Sequence, residues 1–186
     1  MRDRLVVAML LSVLTVSIFA DKIAPQQYTA IAILPGNPNG PSTIPLSINI
    51  QGTTDDETMN NLGQILADGN NQKALLSKFQ HMPGIGQVSR EGRVGVPVKV
   101  IRIKPTPDGG KEVIMLTDRW ISLWELTNNP STTAYPYGLL RFTVNAKGEG
   151  TGKAYPIVQI KGIKPDDIAI DDYGIIPIQV TVHEIK

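Results

Sequence analysis

Ile44, Leu46, Ile48 and Ile50 take every second position, and Pro45, Ser47, Asn49 and Gln51 fill the gaps. A period of two puts the four apolar side chains on one face of a strand and the others on its opposite face. Pro45 has no amide hydrogen for a ladder, which sets this strand at a sheet edge or Pro45 among its first residues. Tyr28 to Leu34 is apolar and β-branched enough for an earlier strand, and Pro35-Gly-Asn-Pro-Asn-Gly-Pro41 stops it as a loop. The period then changes. Thr54-Asp55-Asp56-Glu57 has the spacing of a capping box, in which the Thr54 hydroxyl accepts a first-turn amide and Glu57 reaches back. Met59, Leu62, Ile65 and Leu66 mark one helical face, and Leu75, Leu76, Phe79 and Met82 a second. Asp68-Gly-Asn-Asn71 divides the two, and Pro83-Gly84 ends the second. The pattern predicts an αα-hairpin laid over a sheet, each helix burying one stripe.

From Gln87 onward the pattern is strands and turns. Val94, Val96, Val98 and Val100 alternate, and Ile101 and Ile103 continue on the opposite phase. A phase switch within one run predicts a β-bulge near Val100-Ile101. Pro105-Thr-Pro-Asp-Gly-Gly110 is a turn in which Asp-Gly supplies a positive-φ position. Val113 to Leu116 returns as its partner strand. Leu140, Phe142 and Val144 alternate with Arg141 and Thr143, and Asn145 to Gly150 reads as a turn. Tyr155 to Ile160 reads as a strand, Ile168 to Ile170 as a short one, and Ile176, Ile178, Val180 and Val182 as the last. Short strands at this spacing with tight polar turns predict an α+β fold: an antiparallel β-sandwich or barrel-like sheet with an inserted αα-hairpin.

The start of the chain has a different character. Met1-Arg-Asp-Arg4 is net basic, Leu5 to Ala20 is apolar except for Ser12, Thr15 and Ser17, and Asp21-Lys22 restores polarity. That layout predicts a signal peptide over residues 1–20, cut after Ala20, because the apolar run is short for a membrane span of about 20 residues. Residues 21–27 then read as a linker and 28–186 as one α+β domain. Loss of Arg2, Arg4 and Asp3 takes the formal charge from +1 to zero. A neutral chain lacks the basic footprint of a nucleic-acid binder and the polybasic patch that holds a protein on an anionic membrane. The chain has no cysteine. This excludes disulfides, an acylated lipoprotein anchor, thiolate metal sites and a Cys nucleophile. The expected location is periplasmic or secreted, with no stable membrane anchor once the signal is removed.

Candidate chemistry is sparse. His81 and His183 are far apart and have no ligand spacing, and no cofactor or metal is implied. Gly84-Ile-Gly86 follows a helix and precedes a strand, the reverse of a dinucleotide fingerprint. Asp166, Asp167, Asp171 and Asp172 flank a short strand and lack the alternation of a calcium loop. No Gly-x-Ser-x-Gly elbow occurs. The densest stretch is Thr117 to Glu125, which holds Asp118, Arg119, Trp120, Trp124 and Glu125 and is followed by Tyr135-Pro136-Tyr137. Carboxylates beside aromatics suit sugar binding, or glycoside hydrolysis by Asp118 and Glu125. The same residues better suit a core anchored by the indoles, with Asp118 and Arg119 as a structural ion pair.

Pro107-Asp-Gly-Gly110, Thr117-Asp-Arg119, Ile121-Ser-x-Trp124-Glu125, Tyr135-Pro136-Tyr137 and Gly148-x-Gly-x-Gly152 follow one another. As a series over roughly residues 42–186 they resemble an uncharacterised family of exported bacterial proteins. Thr53 to Glu57, Ala74-Leu75-Leu76 and the Tyr173-Gly174 turn fit the same family. The chain departs from it at Trp120, where Pro is usual after Asp-Arg, and at Leu123, where an aromatic is usual. The resemblance implies a signal peptide, one domain and no known activity. The expected function is a non-enzymatic binding or interaction module whose partner is a protein or small molecule. The alternatives are a glycan hydrolase, or a lipocalin-like carrier of an apolar ligand that would need a hollow barrel.

Overall fold

The computed structural model describes residues 23–34, 42–90, 93–119, 121, 136–172, 174 and 176–186. The elements are β1 (Gln26–Leu34), β2 (Ser42–Ile50), α1 (Asp56–Ala67), α2 (Gln72–His81), β3 (Gly86–Arg90), β4 (Val96–Pro105), β5 (Lys111–Thr117), β6 (Tyr137–Val144), β7 (Glu149–Lys164), β8 (Asp167–Asp171) and β9 (Ile178–Ile185). Every pairing is antiparallel. Neighbouring strands pair in chain order from β1 to β7, β7 pairs with β9, and β9 returns to β1. The result is a closed barrel of eight strands, with the helical hairpin inserted between β2 and β3. Of the two expected architectures it is the barrel that forms. The long β7 serves twice: its first half closes the barrel, and its second half pairs with β8 as an arm that leaves it.

An eight-stranded barrel is just wide enough for its own side chains to fill. Tyr28 and Phe142 meet edge to face inside it, with ring centroids 5.2 Å apart. The positions around them are small: Ala30 and Ala32 on β1, and Gly150, Gly152 and Ala154 on β7. Gly152 stands opposite Phe142, and Gly150 opposite Val144. A Cβ at Gly150 would overlap the Thr143 carbonyl, and one at Gly152 the Arg141 carbonyl and the Phe142 Cβ. The stretch expected as a turn through Gly150 is therefore strand from Glu149. Glycine is required there by the close approach of β6, not by a chain reversal. Ile44, Ile48, Ile50, Val98, Ile101, Met115 and Ile178 are each at most 2% exposed on the interior. A water-sized void among them would leave accessible area, so these seven side chains enclose none.

The hairpin forms a second layer outside β4 to β8. Met59, Leu62, Leu66, Leu75 and Phe79 pack on Val100, Ile114, Leu116, Tyr137, Leu139, Val158 and Ile160. Both helices carry side-chain caps, from Asp55 to the Thr58 amide and from Asn71 to the Ala74 amide. The expected cap was Thr54. Its hydroxyl instead accepts the Ile101 amide at 3.1 Å, while its own amide donates to the Ile101 carbonyl at 2.8 Å, tying the helix entry to β4. Pro45 falls inside β2, but β3 pairs only with Leu46 to Ile50, so among the described residues Pro45 has a strand neighbour on one side. Ile176, expected to open the last strand, precedes β9 and is exposed. Among the described residues no helix is long and apolar enough to cross a membrane.

Candidate functional site

The phase switch in the valine run is a bulge. Val98 pairs with Thr117 and Val100 with Leu116, which leaves Lys99 as the extra residue. Val98 and Ile101 point into the barrel, and Val100 joins the layer under the helices. A bulge re-aims a side chain, and this one turns Lys99 toward the end of α2. Its ammonium donates to the Met82 carbonyl at 2.8 Å and lies 3.6 Å from the Asp118 carboxylate. Both side chains are buried, at 10% and 6% exposure. Arg119 Nε donates to the other Asp118 oxygen at 3.2 Å from a largely exposed side chain.

The ion pair expected between Asp118 and Arg119 is present. The buried partner, Lys99, was not foreseen. A carboxylate held by two cations with so little exposure is poorly placed to protonate or attack a glycosidic bond. Tyr137 is also withdrawn from any ligand. It is fully buried, stacks edge to face on Phe79 at 5.5 Å and donates its hydroxyl to the Gln72 carbonyl at 3.1 Å. Burial pushes its phenol far above the ordinary range. Trp120, Trp124, Glu125 and Tyr135 lie outside the described residues. The structure thus brings Asp118 and Arg119 together, and places Tyr137 in the layer that holds α2 to β6.

Beside Lys99 is a cleft of about 210 Å³, where α1 begins and α2 ends. Met82, Pro83 and Ile85 form its apolar wall; Thr54, Asp55, Thr58 and Asn61 line the α1 side; Lys78, His81 and Lys99 carry donors. Local chemistry explains its shape. Asp55 stops α1 from extending backward, and Pro83 forces Met82 out of helical conformation, so both helices end at one place. His81 Nδ1 is 2.6 Å from the Ser77 carbonyl, an acceptor only, so that nitrogen carries the proton. The sequence marks Met82 and Pro83 only as a helix face and its stop, and does not mark Lys99 or Ile85 as site residues. The available signal was a lysine inside an alternating valine run at the point where the phase switches.

The remaining candidates are tied into the fold. His183 is exposed on β9. Asp167 pairs with Arg141 at 2.7 Å and Asp171 with Lys161 at 3.4 Å. Among the described residues no three His, Asp or Glu side chains gather to hold a metal ion. At one barrel mouth Lys111 bridges Glu184 at 2.7 Å and Gln26 at 2.9 Å, over the Tyr28 ring. Burial pushes the Tyr28 phenol up against the opposing pull of Lys111. No protein-family model, curated protein or solved structure matches the chain.

Proposed function

We propose that the chain is a non-enzymatic binding module, exported after loss of residues 1–20, whose binding site is the cleft between the start of α1 and the end of α2. The observation that carries this reading is the cleft's mixed lining: an apolar wall of Met82, Pro83 and Ile85 faced by the donors of Lys78 and Lys99. Binding sites combine apolar lining with a few placed polar groups in this way. At about 210 Å³ the cleft suits a small ligand, or one side chain of a protein partner, bearing an acceptor group. The buried apolar side chains of the barrel interior weigh against a carrier, and the double cation contact of Asp118 weighs against glycan hydrolysis.

The test is a heteronuclear NMR titration of the full chain with a panel of small amides, sugars and carboxylates. At least one probe is expected to shift the amides of residues 54–58, 78–85 and 99 in a saturable way, and Lys78→Met with Asn61→Ala is expected to weaken it about tenfold. A panel that leaves those amides unmoved, or moves them without saturation, refutes the assignment. The location is tested separately. Protein recovered from the periplasm or medium is expected to begin at Asp21 by intact mass, and retention of Met1 refutes export by cleavage.

A further inference from the structure

Lys99 has more hydrogen-bonding capacity than the fold uses. Its side chain is 10% exposed. An ammonium has three N–H donors, and among the described residues one of them is spent, on the Met82 carbonyl at 2.8 Å. Asp118, at 3.6 Å, offsets the charge but lies beyond hydrogen-bond length. A buried donor without an acceptor is costly. Lys99 lines the cleft between α1 and α2, so an acceptor that enters the cleft reaches it. Lys78, one turn before Met82 on α2, adds a second ammonium to the lining and has no carboxylate partner among the described residues. The carboxylate of the lining, Asp55, already accepts the Thr58 amide at 2.6 Å and sits at the positive end of α1. With His81 uncharged, and with Asp118 and Arg119 counted behind Lys99, the cations here exceed the carboxylates by one.

Given the binding role assigned to this cleft, we propose that its ligand is a small aliphatic carboxylate, with its charge met by Lys99 and Lys78 and its tail on Met82, Pro83 and Ile85. A neutral acceptor, such as an amide or a sugar hydroxyl, leaves the extra positive charge unmatched. An ionised carboxylate matches it, and its two oxygens only accept, which suits groups that only donate. Hydrogen bonds between an ammonium and a carboxylate are also roughly twice as strong as those between neutral groups. The volume sets the size: about 210 Å³ is room for about seven waters, or for an acid of about four to six carbons. The apolar wall sets the character of the tail. The side chains of Met82, Pro83 and Ile85 hold no strong donor or acceptor, so a second polar group on the tail has no partner there.

Pentanoate and pentanamide share a shape and differ in charge, so the pair isolates the carboxylate. Both are titrated into the full chain at low salt and followed by heteronuclear NMR at the amides of residues 54–58, 78–85 and 99. Pentanoate is expected to bind at least about tenfold more tightly than pentanamide. Raising the salt to about 300 mM is expected to weaken pentanoate several-fold and to leave pentanamide unchanged. Lys78 is exposed on α2, so Lys78→Met is expected to keep the circular dichroism spectrum and to lose most of the preference for pentanoate. Lys147→Met removes the same charge from the exposed β6–β7 turn and is expected to keep the preference. Equal affinity for the two probes overturns the carboxylate assignment and leaves the cleft its binding role. So does a preference that survives Lys78→Met, or one that Lys147→Met loses equally. If neither probe moves those amides while another member of the wider panel does, the assignment also falls; if nothing in the panel moves them, the binding role falls with it.

Discussion

Removing either partner of the Lys99–Asp118 pair tests how the bulge is held. At 3.6 Å and an effective dielectric of about 20, the attraction is about 5 kcal/mol before desolvation is charged against it. Removing one member of a buried pair generally costs about 3–5 kcal/mol, because the other is left uncompensated. The two removals are unequal here. Lys99→Met leaves Asp118 with Arg119 at 3.2 Å, so the cost falls near 2–3 kcal/mol. Asp118→Asn leaves the buried ammonium with the Met82 carbonyl as its remaining strong partner, so the cost is about 3–4 kcal/mol. Lys99→Met with Asp118→Leu removes both charges and is expected to cost about 1 kcal/mol, well below the sum of the singles. Urea unfolding followed by far-ultraviolet circular dichroism reads this. With a slope near 2 kcal/mol/M, the single variants shift the midpoint by about 1–2 M and the double by about half a molar. Additive costs, or equal costs for the two singles, refute the reasoning.

Gly150→Ala and Gly152→Ala press a Cβ into β6 carbonyls and are expected to cost about 3 kcal/mol each or prevent folding. Gly162→Ala, whose Cβ meets only the Ala169 Cβ at 3.8 Å, stays within about 1 kcal/mol; thermal melts that fail to separate these variants contradict the packing account. Tyr137→Phe keeps the ring on Phe79 and loses the hydroxyl bond to Gln72, a cost of about 1 kcal/mol by urea unfolding. Burial raises the Asp167 carboxyl, but the hydrogen bond and charge of Arg141, with the Ile168 amide and Lys104, outweigh it and hold the pKa below the usual value. A depressed carboxyl contributes stability above about pH 4 and loses it as the pH falls through the folded value. Asp167→Asn is therefore expected to melt below wild type at pH 6, with the gap closing toward pH 2; a gap independent of pH refutes this.

The elements legible in sequence are those with one buried face. Ile44 to Ile50 alternate because one side meets the barrel interior, and Met59, Leu62 and Leu66 recur because one helical stripe meets the sheet. The bulge was legible for the same reason, since a face cannot switch without an extra residue. Closure was not, because it depends on pairings such as Thr29 with His183 that leave no local trace. Gly150 misled because a glycine needed for close approach looks like one needed for a turn. Thr54 misled because its hydroxyl had a tertiary claimant, the Ile101 amide. The cleft joins Lys99 to a helix end seventeen residues away, at Met82. Its lining is therefore a product of tertiary packing, and no local motif announces it.

The seam between β1 and β9 has a consequence for the order of folding. Thr29 and His183 are 154 residues apart, so the ring is sealed by its least local contact. Until β9 is available, β1 and the first half of β7 each keep an open backbone edge, a template for pairing with other chains. Closing so large a loop adds little to the entropic cost but slows the search, as in other folds dominated by distant contacts. β9 acts as a clasp: a chain delivered from its N-terminus holds most of the barrel's strands before it can lock them. Such a chain is prone to aggregation if synthesis stops short of the clasp.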